Sequence, residues 1–197
     1  MLLKNKFNLK IFLFLILLSK ILSAEENENL IKNKISDYLT KTVEFSSKFI
    51  QTNDEMLQEG KFYIKRNRLR IEYISPSKLI IIVKENNAMY YNVDLEEVQY
   101  FNPKNTIAEI FFNLFYDLSF LDEVEISLDK THFTLTKEQK IDDEKNIIKI
   151  IFERSPLIMR KIEVTNSNGV TTFGITDQNY NPELDDKIFS LANPLLS

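Results

Sequence analysis

The side chains able to do chemistry in this sequence are few and widely separated. His132 is the only histidine, so a Ser-His-Asp relay would rest on it alone, and its neighbours Thr131 and Phe133 read as a strand. No cysteine is present, which removes disulfides, thiolate metal sites, a cysteine nucleophile and a thiol for lipid attachment. The three glycines, Gly60, Gly169 and Gly174, are too scattered for a phosphate-cradling loop or a dinucleotide fingerprint. Glu96-Glu97 and Asp142-Asp143 pair carboxylates, as acid–base or metal work requires. Both pairs fall where the chain should turn, and among 29 acidic residues they read as solvated surface. These residues predict a protein that is not an enzyme and that holds neither cofactor nor metal.

Apolar rows are what the sequence offers instead. Phe62 and Ile64 share one face of GKFYIKR, and Leu69, Ile71 and Tyr73 share one face of RLRIEY. Ile107, Ile110, Phe111, Leu114, Phe115 and Leu118 recur at the spacing of one helix face. An ordinary packed core and a cavity for an apolar ligand both fit these rows. Two features exceed what a core needs. Phe112 and Tyr116 widen the helix's apolar surface beyond its main row, enough to hold a ligand on one side and a partner on the other. Arg66, by strand parity, ends the face of Phe62 and Ile64, where a cation either ties down a covering element through backbone carbonyls or snorkels to solvent.

Periodicity defines the elements that must position these residues. MLLKNKFNLK is basic, 11–18 is an unbroken apolar run, and Leu22-Ser23-Ala24 precedes two acids; that order is a secretory leader, 1–24, cut after Ala24. The run is shorter than the roughly 20 residues a membrane-spanning helix needs. Leu30, Ile31, Ile35, Tyr38 and Leu39 predict an amphipathic helix. From Val43 the period falls to two, and strands are predicted at 43–51, 60–66, 68–73, 79–83, 88–92 and 97–101. A second helix covers 105–119, with Thr106-x-x-Glu109 as a capping box. Strands resume at 124–128, 131–137, 146–152, 159–166 and 170–177, the last two joined by a Ser167-Asn168-Gly169 turn. The charged stretch 137–145 reads as a solvated loop.

About eleven short strands and two helices, mainly β with helices (α+β), fit a sandwich, a closed barrel or a strongly curved antiparallel sheet. A helix set among consecutive strands favours the open curved sheet, whose apolar concave face something must cover. At 197 residues and 44% hydrophobic content the chain suits a single domain, 25–197. The leader carries four lysines and no acid, so its removal takes the formal charge from −4 to −8. Such a body disfavours nucleic acid and anionic membranes. Lacking disulfides, the domain depends on its core alone, which suits the bacterial periplasm.

FSSKFIQ (Phe45, Phe49, Gln51), QEGKFYIKR (Gly60 to Arg66), RLRIEYISP ending at Pro76, LIIIV and MYYNVDLEEVQYF, in that order, resemble the outer-membrane lipoprotein carrier family of LolA-type proteins. The likeness runs over most of 25–193 and is densest from 45 to 101; the tail NPELDDKIFSLANP resembles the family's closing strand. It departs at Asn67, where the family has proline, in a loop one residue shorter, and at Ile71, where an aromatic is common. The resemblance implies an unclosed β-barrel with an apolar cavity, here Phe62, Ile64, Leu69, Ile71, Tyr73, Ile80 and Ile82. It implies a helical lid carrying Ile107, Ile110, Phe111, Leu114, Phe115 and Leu118, latched by Arg66. It further implies a monomeric periplasmic carrier with acylated lipoproteins as clients, an inner-membrane ATP-driven exporter as source and an outer-membrane lipoprotein receptor as destination. A lipid- or lipoprotein-sensing regulator and a free-lipid carrier of the same fold are the alternatives. A lipid hydrolase would need a nucleophile–base pair, and none is visible.

Overall fold

A computed structural model of the chain describes residues 28–42, 44–54, 56–104, 106–116, 118–141 and 143–196, the side chain of Ser119 excepted. The expected leader, 1–24, lies outside the described residues, as do Val43 and Asp142. Contacts divide the chain into two compact units, Met1–Asp37 and Tyr38–Ser197. In the first, residues 28–37 are helical, and Lys32 pairs with Glu28 one turn away at 3.2 Å. The helix, α1, runs to residue 41. Thr42 ends it: its N–H donates to the Leu39 carbonyl at 3.0 Å and its hydroxyl to the Tyr38 carbonyl at 2.7 Å.

The second unit is built on one antiparallel sheet. Its first wing is a meander of β1 (Glu44–Thr52), β2 (Leu57–Lys65), β3 (Arg68–Ser75), β4 (Leu79–Lys84), β5 (Asn87–Asn92) and β6 (Glu97–Phe101). Helix α2 (Ile107–Tyr116) and a 3-10 turn (Leu118–Leu121) follow. The second wing is β7 (Glu125–Leu128), β8 (His132–Ile141), β9 (Glu144–Arg154), β10 (Leu157–Asn166) and β11 (Gly169–Tyr180). The tail adds 3-10 turns at Asp186–Phe189 and Pro194–Leu196. The strand order is β6-β5-β4-β3-β2-β1-β11-β10-β9-β8-β7, so β1 and β11 join the wings and the sheet stays unclosed, with β6 and β7 as its edges. This is the mainly β architecture with helices that the periodicity predicts.

Alternation dictates which side chains face inward. Phe45 pairs with Ile64, Ile64 with Leu69, Leu69 with Val83 and Val83 with Ala88, and all five are buried on one face. The second wing continues that face with Ile148, Ile150 and Phe152, each fully buried. Two local features shape the centre. The register of β1 against β11 shifts at Ser47, whose buried hydroxyl donates to the Thr176 carbonyl at 2.5 Å, satisfying a group that the bulge takes out of the ladder. Gly60 lies opposite Phe49, and a Cβ there would collide with that ring and with the Glu72 carbonyl; the glycine is the space the ring occupies.

Three expectations differ from the structure. The stretch 137–145 is strand, not loop: β8 and β9 continue to a tight turn at Asp143, with Lys145 paired to Glu138 at 2.7 Å. Charges mask the alternation there because that hairpin's outer face is solvated. The second helix ends at Tyr116, and Leu118 opens the 3-10 turn instead of extending the helix row. Ile80 and Ile82 lie on the outer face, since Ile71 pairs with Ile81 and Leu69 with Val83, which places Leu79, Ile81 and Val83 inward.

Candidate functional site

The inner face of the sheet and the row of α2 form one apolar interior. Ile110, Phe111, Leu114 and Phe115 are the buried residues of α2. The Phe111 ring meets Phe173 of β11 edge-on, with centroids 5.0 Å apart, and reaches Phe62 of β2 at 6.2 Å. Phe115 stacks on Phe45 at 5.7 Å and approaches Phe62 at 6.3 Å. Thus α2 lies across the three central strands, β2, β1 and β11. Of the residues expected to line a cavity, Phe62, Ile64, Leu69 and Ile71 are buried beneath this cover. Tyr73 faces the same interior beside Gly60, and its hydroxyl donates to Gln51 Oε1 at 2.7 Å. Burial pushes that hydroxyl up to about 12. Ile107 and Leu118, the ends of the expected row, are exposed.

Polar contacts hold α2 near both ends. At the start, the Thr106 hydroxyl donates to the Pro103 carbonyl at 2.7 Å and the Glu109 N–H to the Thr106 carbonyl at 3.0 Å. At the finish, the Tyr116 hydroxyl donates to the Arg68 carbonyl on β3 at 3.0 Å. Desolvation holds this hydroxyl far above the usual phenol range, and its ring packs on Phe112 at 4.9 Å. Just beyond the helix, Lys137 of β8 donates to the carbonyls of Phe120 and Asp122 at 3.2 and 3.1 Å, with its ammonium 5.2 Å from the centre of the Phe120 ring. A cation tying the covering segment through backbone carbonyls therefore exists, but it is Lys137, from the opposite wing.

Arg66 does not occupy that place. It sits in the β2–β3 turn with φ of 43° and is exposed, and no hydrogen bond or ion pair is found for it among the described residues. Strand parity fails at Arg66 because β2 ends at Lys65 and the backbone turns left-handed one residue later.

At the N-terminal end of α2 lies a cleft of about 340 Å³. Ile81 and Phe101 of the first wing, Ile107 of α2, and Ile141, Asn146 and Asn166 of the second wing line it; both wings therefore converge around the helix. Asn166 Nδ2 donates to Asn146 Oδ1 at 3.3 Å, and Asn146, almost wholly buried, donates to the Glu144 carbonyl at 2.9 Å. A polar residue sharing parity with Ile148 and Ile150 was the available sequence signal for this pair. On the outer face, Ile80 and Ile82 line a separate cleft of about 310 Å³ beneath the tail.

His132 lies outward opposite Glu153, whose carboxylate is engaged by Arg160 at 2.6 Å; its Nδ1 is 2.7 Å from the Thr131 hydroxyl. No helix among the described residues is long and apolar enough to cross a membrane.

An open antiparallel sheet closed over by a helix, with an apolar interior and a cleft between its wings, has the form of a protein that sequesters apolar matter. Residues 40–192 match the family described as outer membrane lipoprotein carrier protein LolA, and the chain belongs to that family. Among solved structures, it is similar to an uncharacterized conserved protein from Thermus thermophilus, with 8% identity and a TM-score of 0.53 over 80% of this chain and 92% of that one. A putative outer membrane lipoprotein-sorting protein domain from Vibrio parahaemolyticus has 9% identity and a TM-score of 0.46 over 80% and 95%. A comparison with curated proteins gives no match.

Proposed function

We propose that this protein is a periplasmic carrier that takes the acyl chains of lipoproteins between the sheet and α2 and moves them from the inner to the outer membrane. The supporting observation is the way α2 covers the apolar inner face: by side-chain packing across three strands, with Tyr116 and Lys137 as polar ties near its C-terminal end. Burying an acyl chain is worth about 0.8 kcal/mol per methylene, so such chains do not cross water unaccompanied. The open cleft, about 340 Å³, is at the small end for ligand pockets, which run from about 300 to 1,000 Å³. Loading several chains therefore requires α2 to swing out and yield the space that Phe111 and Phe115 fill. Because those rings repack when the cavity empties, the closed state offsets part of the ligand's binding energy, and cargo is held tightly enough to travel yet released on arrival.

The client is passed by an inner-membrane ATP-driven exporter and delivered to an outer-membrane lipoprotein receptor. The test is to incubate the soluble protein with energised inner-membrane vesicles that contain the exporter and a labelled lipoprotein. A water-soluble one-to-one complex bearing the label is the expected result. Label that stays in the membrane, with the exporter shown to be active, would refute the carrier reading.

A further inference from the structure

The inner face of the second wing changes character toward the β8–β9 turn. On β9, Ile150 and Ile148 point inward and are fully buried, and the next inward residue is Asn146, 3% exposed. On β10 the inward run of Ile162 and Val164 ends likewise in Asn166. Gln139 of β8 lies opposite Asn146 and is half-buried. Three carboxamides thus stand side by side across three strands, on the face that elsewhere carries the apolar interior.

Their bonds to one another do not account for the choice of residue. Asn146 Nδ2 donates to the Glu144 carbonyl of its own strand, and Asn166 Nδ2 to Asn146 Oδ1. Asn166 Oδ1 accepts the Asn168 N–H at 3.0 Å, an ordinary turn contact. An isoleucine or leucine at 146 would continue the row and avoid the cost of burying an amide. Each amide nitrogen carries two hydrogens, and among the described residues no second acceptor is found for either. Both residues line the cleft beside α2, set among Ile81, Phe101, Ile107 and Ile141. The cleft therefore presents N–H donors within apolar walls.

The other polar side chains of the cleft are engaged. The Thr106 hydroxyl is taken by the Pro103 carbonyl, and the Glu144 carboxylate accepts the N–H and the hydroxyl of Ser167. Glu144 is also the only charged side chain among the described lining residues, with no cation beside it there. Donors without a cation suit a neutral acceptor such as an acyl carbonyl, while an unpaired carboxylate disfavours a phosphate.

We infer that the Asn146–Asn166 pair receives the ester or amide carbonyls that join acyl chains to a lipoprotein's head, and that Glu144 beside it turns away anionic lipids. This selection rests on the carrier reading, since it acts on chains that the carrier has taken up.

The test uses the soluble protein and a fluorescent peptide bearing glycerol with two octanoyl esters, alongside its dioctyl ether analogue, which has matched chains and no carbonyls. Wild type should bind the ester about tenfold more tightly than the ether. Asn146→Leu/Asn166→Leu, which removes both partners of the pair at once and is checked for an unchanged melting temperature, should bind the two alike. Dioctanoyl phosphatidylglycerol should displace the ester peptide several-fold better from Glu144→Gln than from wild type. Equal binding of ester and ether by wild type would overturn the inference. So would a preference that persists in the folded double variant, or equal displacement from wild type and Glu144→Gln. Binding of both probes alike removes the selecting pair and leaves the carrier; binding of neither refutes the carrier reading and this selection with it.

Discussion

Removing the Tyr116 hydroxyl alone separates its two contributions, ring packing on Phe112 and the tie to Arg68. Tyr116→Phe keeps the ring and removes the hydrogen bond to the Arg68 carbonyl, so stability should fall by roughly 0.5–1.5 kcal/mol in a denaturant titration. Because only the closed, empty state loses this bond, a lipopeptide probe should bind more tightly to Tyr116→Phe than to wild type; equal affinity would mean that the bond persists in the loaded state. Lys137→Leu should act in the same direction, by loosening the segment after α2, whereas Arg66→Leu should load and deliver like wild type. The contrast is read in one delivery assay. Strand parity by itself makes Phe62, Ile64, Leu69, Ile71 and Tyr73 legible as one face. It could not orient Ile80 and Ile82, because an unbroken apolar run has no visible phase, and the tail supplies apolar cover on the outside as well. Nor could it show Lys137, an inward charge whose partners come from a turn in the chain 15 and 17 residues earlier.

The tail is the element whose attachment depends most on charge. Asp186 meets Lys65 at 3.1 Å and Arg68 at 3.3 Å, Lys65 donates to the Leu184 carbonyl, Arg70 to Ile188 at 2.7 Å, and the Tyr100 hydroxyl to Leu191 at 3.1 Å. Lys65 and Arg68 hold the Asp186 carboxyl below its ordinary value of 3.8. Its contribution is therefore complete above that value and disappears as pH falls through the lowered one. Asp186 in turn holds the Lys65 ammonium above 10.5, so that share is lost only as pH rises past the raised value. Asp186→Asn should thus melt below wild type at pH 7, and the difference should vanish in acid well below the ordinary 3.8. A difference that survives in acid would show that the side chain acts through packing and not charge. Elements with a clean solvated face, such as β2 and β3, were readable as strands, and so was α2. The β8–β9 hairpin was not, since its outermost residues are charged on one face and mixed on the other, and cross-strand pairing rather than composition makes them strand.

At the scale of the whole molecule, the sequence predicts an open sheet covered by a helix, yet no local signal announces that β1 and β11 lie side by side, with Phe45 opposite Tyr180. That pairing is a long-range fact with no turn to mark it. Every other neighbour in the sheet is also next in the chain, so each wing can zip up from hairpins as it emerges, and only the seam requires the start and end of the domain to find one another. Closing so large a loop costs entropy before any contact offsets it, which makes the seam the step that sets the folding rate. Ile175→Val at the seam should slow refolding measured by stopped-flow fluorescence, while Ile148→Val, equally buried within a wing, should mainly hasten unfolding. The domain thus has two halves that organise early and one late join, and it is before that join forms that its apolar inner face is open to chaperones and to aggregation.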